Sequence, residues 1–131
     1  MSGTKAVLDS NAIIYASKGL VDAEKLLSAG ERYYASIITF IEVYAYDFAD
    51  SAEKQIIDEI LESIEVIEVD QEIAEQAIIY RKNKSRKIKL PDAVILATAK
   101  IINAELITGN YRDFQNIDNS VRIIDIDVFK T

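Results

Sequence analysis

Residues 90–109 read LPDAVILATAKIINAELITG, a helix pattern followed at once by a strand pattern. Pro91 is typical of the first turn of a helix, and the apolar spacing predicts that this helix covers Asp92–Asn103. The segment Glu105–Ile107 then has the composition of a buried strand, which we expect to end at Thr108-Gly109. A helix that leads directly into a buried strand is one unit of an α/β fold.

The same alternation of strand and helix continues along the rest of the chain. The apolar residues Ala6–Leu8 predict a strand that ends at Asp9, and Ser10 and Asn11 signal the start of a helix. Further strands are predicted at Tyr33–Ala35, Val66–Val69 and Val121–Ile124, and further helices from Ser36 through Phe48, from Ser51 to Ile64, and from Asp70 through Tyr80. These elements predict the α/β class, as a three-layer α/β/α sandwich around a mainly parallel sheet with right-handed crossovers.

The composition limits both the organisation and the chemistry. With 131 residues, half of them hydrophobic, and no linker-like segment, we expect a single domain over residues 1–131. No apolar run reaches the roughly 18 residues that cross a bilayer, so we expect a cytoplasmic protein with no membrane partner. The chain has no Cys and no His. Thiolate catalysis, disulfides and the commonest zinc ligands are therefore excluded.

Four acidic residues are placed where a parallel sheet would bring them together. Asp9 ends the first strand, Glu42 lies two turns into the helix after the second, Asp92 opens a helix, and Asp113 follows the Leu106-Ile107 strand. The carboxyl ends of parallel strands share one edge of the sheet, and ligand sites form beyond that edge. Each acid alone could instead cap a helix or organise a turn. Together they predict one acidic crevice.

Glu42 has apolar neighbours on both sides in the sequence. Because Phe40 and Tyr44 are among them, we expect Glu42 to be a lone charge on a buried helix face, where it needs a partner. Thr39 lies three residues earlier, on the same predicted face, and is the expected hydrogen-bonding partner.

A divalent cation would compensate the repulsion between these acids. Two carboxylates about 4 Å apart repel by roughly 4 kcal/mol at an effective dielectric constant near 20. All-oxygen ligands favour Mg²⁺ or Mn²⁺ over zinc.

Positive charge is concentrated in one segment of an otherwise acidic chain. The formal net charge is −7, with 15 Lys plus Arg against 22 Asp plus Glu, so the average field repels nucleic acid. Six basic residues nevertheless fall within nine positions: Arg81, Lys82, Lys84, Arg86, Lys87 and Lys89. The segment is either a solvated helix end or a surface that binds RNA phosphates.

Four motifs, in order, resemble those of PIN domains and in particular the VapC-like toxins of toxin–antitoxin pairs. They are Val7-Leu-Asp9-Ser-Asn11, Ser36-Ile-Ile-Thr39-Phe-Ile-Glu42-Val, Leu90-Pro-Asp92-Ala-Val-Ile-Leu-Ala97-Thr-Ala and Leu106-Ile-Thr108-Gly-Asn110-Tyr-Arg-Asp113-Phe. The resemblance covers nearly the whole chain. It implies a four- or five-stranded parallel sheet, endonucleolytic cleavage of RNA with Mg²⁺ or Mn²⁺, a homodimer, and silencing by an antitoxin whose tail enters the acidic crevice.

The resemblance also implies roles for individual residues. Asp9, Glu42 and Asp92 match the first three acids of the family. Many relatives carry Asp where this chain has Asn110, so either Asn110 or Asp113 fills the fourth position, and the site holds one metal or two. All five are candidate metal ligands, the four acids are the candidate catalytic residues, and Thr39, Thr108 and Asn11 are candidate hydrogen-bonding partners. The candidate RNA-binding residues are Lys82, Lys84, Arg86, Lys87 and Lys89.

Other functions remain open at this point. A receiver-type signalling domain also places acids at the carboxyl edge of a sheet, but it would have an acidic pair after its first strand, where Asp9 stands alone. A non-catalytic binding module and a PIN-type RNA-processing nuclease without an antitoxin are further alternatives. A haloacid-dehalogenase-type phosphatase ranks lowest, because Asn11 stands where it would need a second Asp.

Overall fold

The computed structural model describes residues 4–27 and 32–130 of the chain. Within these ranges the strands are β1 (Lys5–Leu8), β2 (Arg32–Ser36), β3 (Glu65–Ile67), β4 (Glu105–Thr108) and β5 (Ile123–Asp125). The α-helices are α1 (Ser10–Ser17), α2 (Ala23–Leu27), α3 (Ile37–Tyr44), α4 (Ser51–Glu62), α5 (Gln71–Arg81), α6 (Leu90–Ile102) and α7 (Tyr111–Phe114). A 3₁₀ helix covers Ile126–Phe129.

The five strands form one parallel sheet in the order β3-β2-β1-β4-β5. Val7, in the central strand β1, is in register with Tyr34 of β2 on one side and with Leu106 of β4 on the other. The chain builds outward from β1 to β3 and then returns to the other side of β1 for β4 and β5. The strand order therefore reverses between β1 and β4, and ligands of open α/β sheets bind beyond the carboxyl ends of the strands at such a reversal.

Helices cover both faces of the sheet. Side chains of a strand alternate between faces, and in β1 Val7 packs in a core cluster with residues of α5 and α6, whereas Ala6 and Leu8 pack in a second cluster with residues of α1 and α4. Ala6, Val7 and Leu8 are almost completely buried. The predicted three-layer α/β/α sandwich with a five-stranded parallel sheet is confirmed.

Several predicted boundaries were wrong. Helix α3 ends at Tyr44 rather than at Phe48, because the chain turns away and Phe48 packs against the core cluster on the α1 and α4 face. The third strand ends at Ile67, before the N-cap of α5. The last strand begins at Ile123, since Val121 packs its side chain into the core from a turn rather than from a ladder.

Two helices, α2 and α7, were not predicted. The start of α2 is nevertheless marked in the sequence, because the Asp22 side chain accepts a hydrogen bond from the backbone N–H of Lys25 at 3.0 Å. In the described ranges, no helix has both the length and the apolar character needed to cross a membrane.

Candidate active site

Asp9 lies at the point where the strand order reverses. It follows β1 directly, forms the N-cap of α1, and is only 4% exposed. Its Oδ1 accepts a hydrogen bond from the backbone N–H of Ser10 at 2.7 Å, and its Oδ2 accepts one from the Thr108 hydroxyl at 2.8 Å. Thr108 ends β4, so one carboxylate joins the carboxyl ends of two neighbouring strands.

The turn after β4 packs tightly against α1. The backbone N–H of Asn110 donates to Thr108 Oγ1 at 2.9 Å, and that of Gly109 donates to Asn11 Oδ1 at 3.3 Å. A Cβ atom at Gly109 would lie 2.8 Å from a ring carbon of Tyr15, closer than carbon atoms approach without a shift. A larger residue at this position would therefore displace the Tyr15 ring, and the turn leads directly into α7.

Glu42 is exposed, and the prediction that it lies on a buried helix face was wrong. Helix α3 buries Thr39 and Val43, which are one turn apart, and turns Glu42 to solvent. Thr39 does not bind Glu42 either, since its buried hydroxyl has no hydrogen-bond partner within the described residues. The Glu42 carboxylate instead accepts a hydrogen bond from Ser10 Oγ at 2.5 Å. Ser10 thus contacts both Asp9 and Glu42.

Asp92 lies in the first turn of α6 and is partly buried. Burial raises its pKa to about 6, and the negative charges of Asp9, Asp113 and Glu42 act in the same direction. Burial also raises the pKa of Asp9 to about 6, against the hydrogen bonds from Thr108 and Ser10 and with help from the charges of Glu42 and Asp113. The four predicted acids therefore belong to one electrostatic neighbourhood.

Asn110 and Asp113 lie at the start of α7, and both are exposed. Asn110 is the N-cap residue, but its side chain makes no capping hydrogen bond, while its carbonyl accepts from the backbone N–H of Asp113 at 2.9 Å. The charge of Asp113 acts on both Asp9 and Asp92. This supports Asp113 as the fourth acid. The Asn110 side-chain oxygen is then an uncharged atom that could also coordinate a metal.

The sequence model of the PIN domain matches residues 6–120 of this chain. The chain belongs to the PIN-domain family. PIN domains are nucleases that generally use a divalent metal, so the family supports a hydrolase acting on nucleic acids rather than a receiver or a phosphatase. A search of curated protein sequences finds no match.

Solved structures of toxin–antitoxin proteins have the same fold. A chain of a toxin–antitoxin complex from Klebsiella pneumoniae is 33% identical, with a TM-score of 0.73 over 92% of this chain and 97% of that chain. A chain of VapBC-1 from nontypeable Haemophilus influenzae is 26% identical, with a TM-score of 0.73 over 94% and 98% of the two chains. A chain of VapBC2 from Rickettsia felis, solved with promoter DNA, is 21% identical, with a TM-score of 0.76 over 92% of this chain and 98% of that chain. The resemblance to VapC-like PIN proteins is confirmed.

The donor set of this PIN domain fits Mg²⁺ or Mn²⁺ in its chemistry. The available atoms are all oxygens. The pKa values of Asp9 and Asp92 are raised first by burial and further by the neighbouring acids, and a bound cation would favour the ionised form of both carboxylates. Among residues 4–27 and 32–130, no three acidic side chains are placed so that together they could hold a metal ion. An open arrangement suits Mg²⁺, which typically binds one or two carboxylates and keeps several waters.

The basic segment lies beside the acids of the PIN domain. It connects α5 to α6, and its last residue, Lys89, is the N-cap of α6 and lowers the pKa of Asp92 by its charge, against the effect of burial. Arg86 Nε donates to the carbonyl of Gln115 at 3.2 Å, two residues beyond Asp113. The segment therefore contacts the chain at the end of α7, the helix that carries Asp113.

Sequence reasoning missed Ser10 as a member of the site. Its position directly after Asp9 indicated only the start of a helix, and its hydroxyl partner Glu42 is 32 residues away along the chain. A cavity of about 530 Å³ lies at the opposite edge of the sheet, where β2 and β3 begin, and none of the four acids lines it. The acidic site therefore does not coincide with this cavity at the other edge of the sheet.

Proposed function

We propose that this PIN domain is a metal-dependent endoribonuclease that hydrolyses RNA phosphodiester bonds with Mg²⁺ or Mn²⁺. The observation that carries the proposal is the buried Asp9 carboxylate at the reversal of strand order, with its pKa and that of Asp92 both raised by burial and by neighbouring acids. When no cation is bound, ionised carboxylates in such an environment destabilise the fold. This is expected of residues whose role is to bind a cation.

In the proposed mechanism, Asp9 and Asp92 hold the metal. The bound metal would polarise the phosphodiester and lower the pKa of the attacking water. The Ser10 backbone N–H and the Thr108 hydroxyl fix the two Asp9 oxygens, so that this carboxylate keeps one orientation. Glu42 and Asp113 are exposed at the edge of the group, where they would orient the attacking water by accepting its hydrogen bonds. No histidine is needed.

RNA is the proposed substrate, and the basic segment is the proposed surface for its backbone. The candidate contacts are Lys82, Lys84, Arg86, Lys87 and Lys89. A net charge of −7 repels RNA from most of the molecule. Local positive charge next to the acids would offset that repulsion where the scissile bond must lie.

An antitoxin is the proposed partner, because similar structures include toxin–antitoxin and VapBC complexes. An Arg or Lys of the antitoxin tail would pair with Asp9 or Asp92 and compete with the metal. The gene beside this one should encode such a protein, and full cleavage activity in its tight complex would contradict the proposal. Without such a gene, a PIN-type RNA-processing nuclease is the alternative.

We also propose a homodimer. Large apolar side chains are exposed on α3, α5 and the start of α6: Phe40, Ile41, Ile78, Ile79 and Leu90. Exposed apolar surface of this extent commonly marks an interface. A monomeric mass by light scattering at micromolar concentration would exclude this assembly.

The test of the catalytic proposal is cleavage of a single-stranded RNA in Mg²⁺ or Mn²⁺ by Asp9→Asn and Asp92→Asn. Because loss of a hydrogen-bonding partner of a ligand already costs roughly 10- to 100-fold, loss of a ligand should lower the rate by at least about 100-fold. EDTA should abolish wild-type cleavage, and DNA of the same sequence tests the choice of RNA.

Asp127→Asn is the matched control, since Asp127 is exposed and pairs with Lys130 at 3.1 Å, outside the acidic group. It should cleave like the wild type. Undiminished cleavage by Asp9→Asn or Asp92→Asn would remove the site assignment, and absence of cleavage in the wild type would favour a non-catalytic binding module.

A further inference from the structure

A cavity of about 450 Å³ lies where α5 ends and the basic segment begins. It is lined by Arg81, Lys82, Asn83, Lys84, Lys87 and Ile88. Four of these six side chains are cationic. These four side chains are exposed and line the same concavity, so an anion seated there would be close to positive charge.

The protein holds the wall of this cavity in place. Arg81 Nη1 donates to the carbonyl of Ile88 at 2.7 Å, which closes the segment on itself. Asn83 Oδ1 accepts from the backbone N–H groups of Ser85 and Arg86 at 2.9 and 3.1 Å. A site whose backbone is fixed before binding loses less conformational entropy when a ligand arrives.

The lysines of the cavity lack acidic partners, although the chain has an excess of acid. Elsewhere the structure pairs bases with acids: Lys18 with Glu53, Lys54 with Asp58, Lys100 with Asp118, Arg122 with Glu105, and Lys130 with Asp127. Lys82, Lys84 and Lys87 form no ion pair with any acid in the described ranges. Positive charge that no acid of the protein neutralises favours an anionic ligand.

We propose that this cavity binds a phosphodiester of the RNA strand at a point separate from the catalytic acids, which rests on the proposed ribonuclease function and deepens it. Lys82, Lys84 and Lys87 are the phosphate-binding residues. Arg86 does not line the cavity; its Nε donates to the Gln115 carbonyl and so ties the segment to the chain that follows α7.

RNA fits this cavity better than an acidic protein does. Protein interfaces are centred on apolar and aromatic side chains, and Ile88 is the one apolar residue among those lining the cavity. The apolar groove lined by Val69, Ile78, Leu90 and Val94 adjoins the cavity and shares Arg81 and Lys82 with it, whereas Lys84 and Lys87 line the cavity and not the groove. Lysines bind phosphates as point charges, without regard to base sequence.

The experiment measures the affinity of the full chain for a labelled single-stranded RNA against salt concentration, by fluorescence anisotropy in EDTA. Each of Lys84→Ala and Lys87→Ala should lower the salt slope by roughly 0.7, which corresponds to about a fivefold loss of affinity at 0.1 M salt. The loss should be similar for RNAs of different sequence. Lys84→Arg and Lys87→Arg should restore most of the affinity, because arginine keeps the charge.

Lys54→Ala is the matched control, because it removes the same charge from α4, whose residues pack on the opposite face of the sheet. Salt curves of the cavity variants that coincide with that of Lys54→Ala would overturn the proposal. So would unchanged RNA affinity together with lost binding of an acidic partner protein. If RNA binding depends on these lysines but the wild type does not cleave RNA in Mg²⁺ or Mn²⁺, the proposed ribonuclease activity is refuted and the phosphate site stands. If the wild type cleaves RNA and its affinity does not depend on these lysines, only the phosphate site is refuted.

Discussion

Asp9→Asn should stabilise the protein at neutral pH when no metal is present. Burial raises the pKa of Asp9 from the ordinary 3.8 to about 6, so the folded state holds the proton more tightly than the unfolded state does. That contribution to stability is complete below about pH 4, declines as the pH rises to about 6, and is absent above it. The difference between the pKa values of Asp9 in the unfolded and folded states corresponds to about 3 kcal/mol of unfolding free energy.

The variant carries no charge at any pH, so it escapes this loss. Its gain at pH 7 to 8 should be smaller than about 3 kcal/mol, because the hydrogen bond from the Ser10 backbone becomes a weaker, neutral one. Near pH 4 the variant and the wild type should differ little. Mg²⁺ should raise the stability of the wild type and leave that of Asp9→Asn unchanged.

The measurement is urea unfolding in EDTA at pH 4, 6 and 8, with Asp127→Asn as the exposed control. A variant that is destabilised equally at all three pH values would refute the argument. In that case Asp9 would act as a helix cap whose loss costs about 1 kcal/mol, and ionisation of its carboxyl would not destabilise the folded state.

Two further substitutions test contacts that hold the site together. Ser10→Ala should release Glu42 and lower the rate of RNA cleavage by about tenfold, the lower end of the range for hydrogen-bonding partners around a metal site, and Ser10→Thr should restore the rate. Cleavage assays in Mg²⁺ check this, and equal rates for all three proteins would exclude a positioning role. Gly109→Ala should destabilise the fold by about 1 to 3 kcal/mol, because its Cβ would meet the Tyr15 ring. Urea unfolding should show a smaller loss in a Tyr15→Leu background, and an equal loss in both backgrounds would contradict the clash.

The central strands and their acids could be predicted because their signals are local. Strand β1 is buried on both faces, so it appears as a continuous apolar run that ends abruptly at Asp9. Strand β4 ends in the same way at Thr108. The parallel arrangement then places both ends at one edge, and this is why motif order was enough to bring the acids together.

The environment of Glu42 could not be predicted from its neighbours. Phe40 is 38% exposed and Ile41 is 56% exposed, so apolar residues beside Glu42 do not mark a buried face. A helix that is apolar nearly all round leaves its inward direction ambiguous, and only packing against the sheet decides it. The contact of Ser10 with Glu42 depends on that packing, as does the contact of Arg86 with Gln115.

The hydrogen bond between Thr108 and Asp9 joins residues that are 99 positions apart. A ribosome adds roughly 5 to 20 residues per second, so roughly 5 to 20 seconds separate the synthesis of these two residues. During that interval β1 has no β4 beside it, and Asp113 does not yet exist. A nascent chain that has not reached β4 therefore lacks both Thr108 and the fourth acid, and the acidic group is completed only when synthesis is nearly finished.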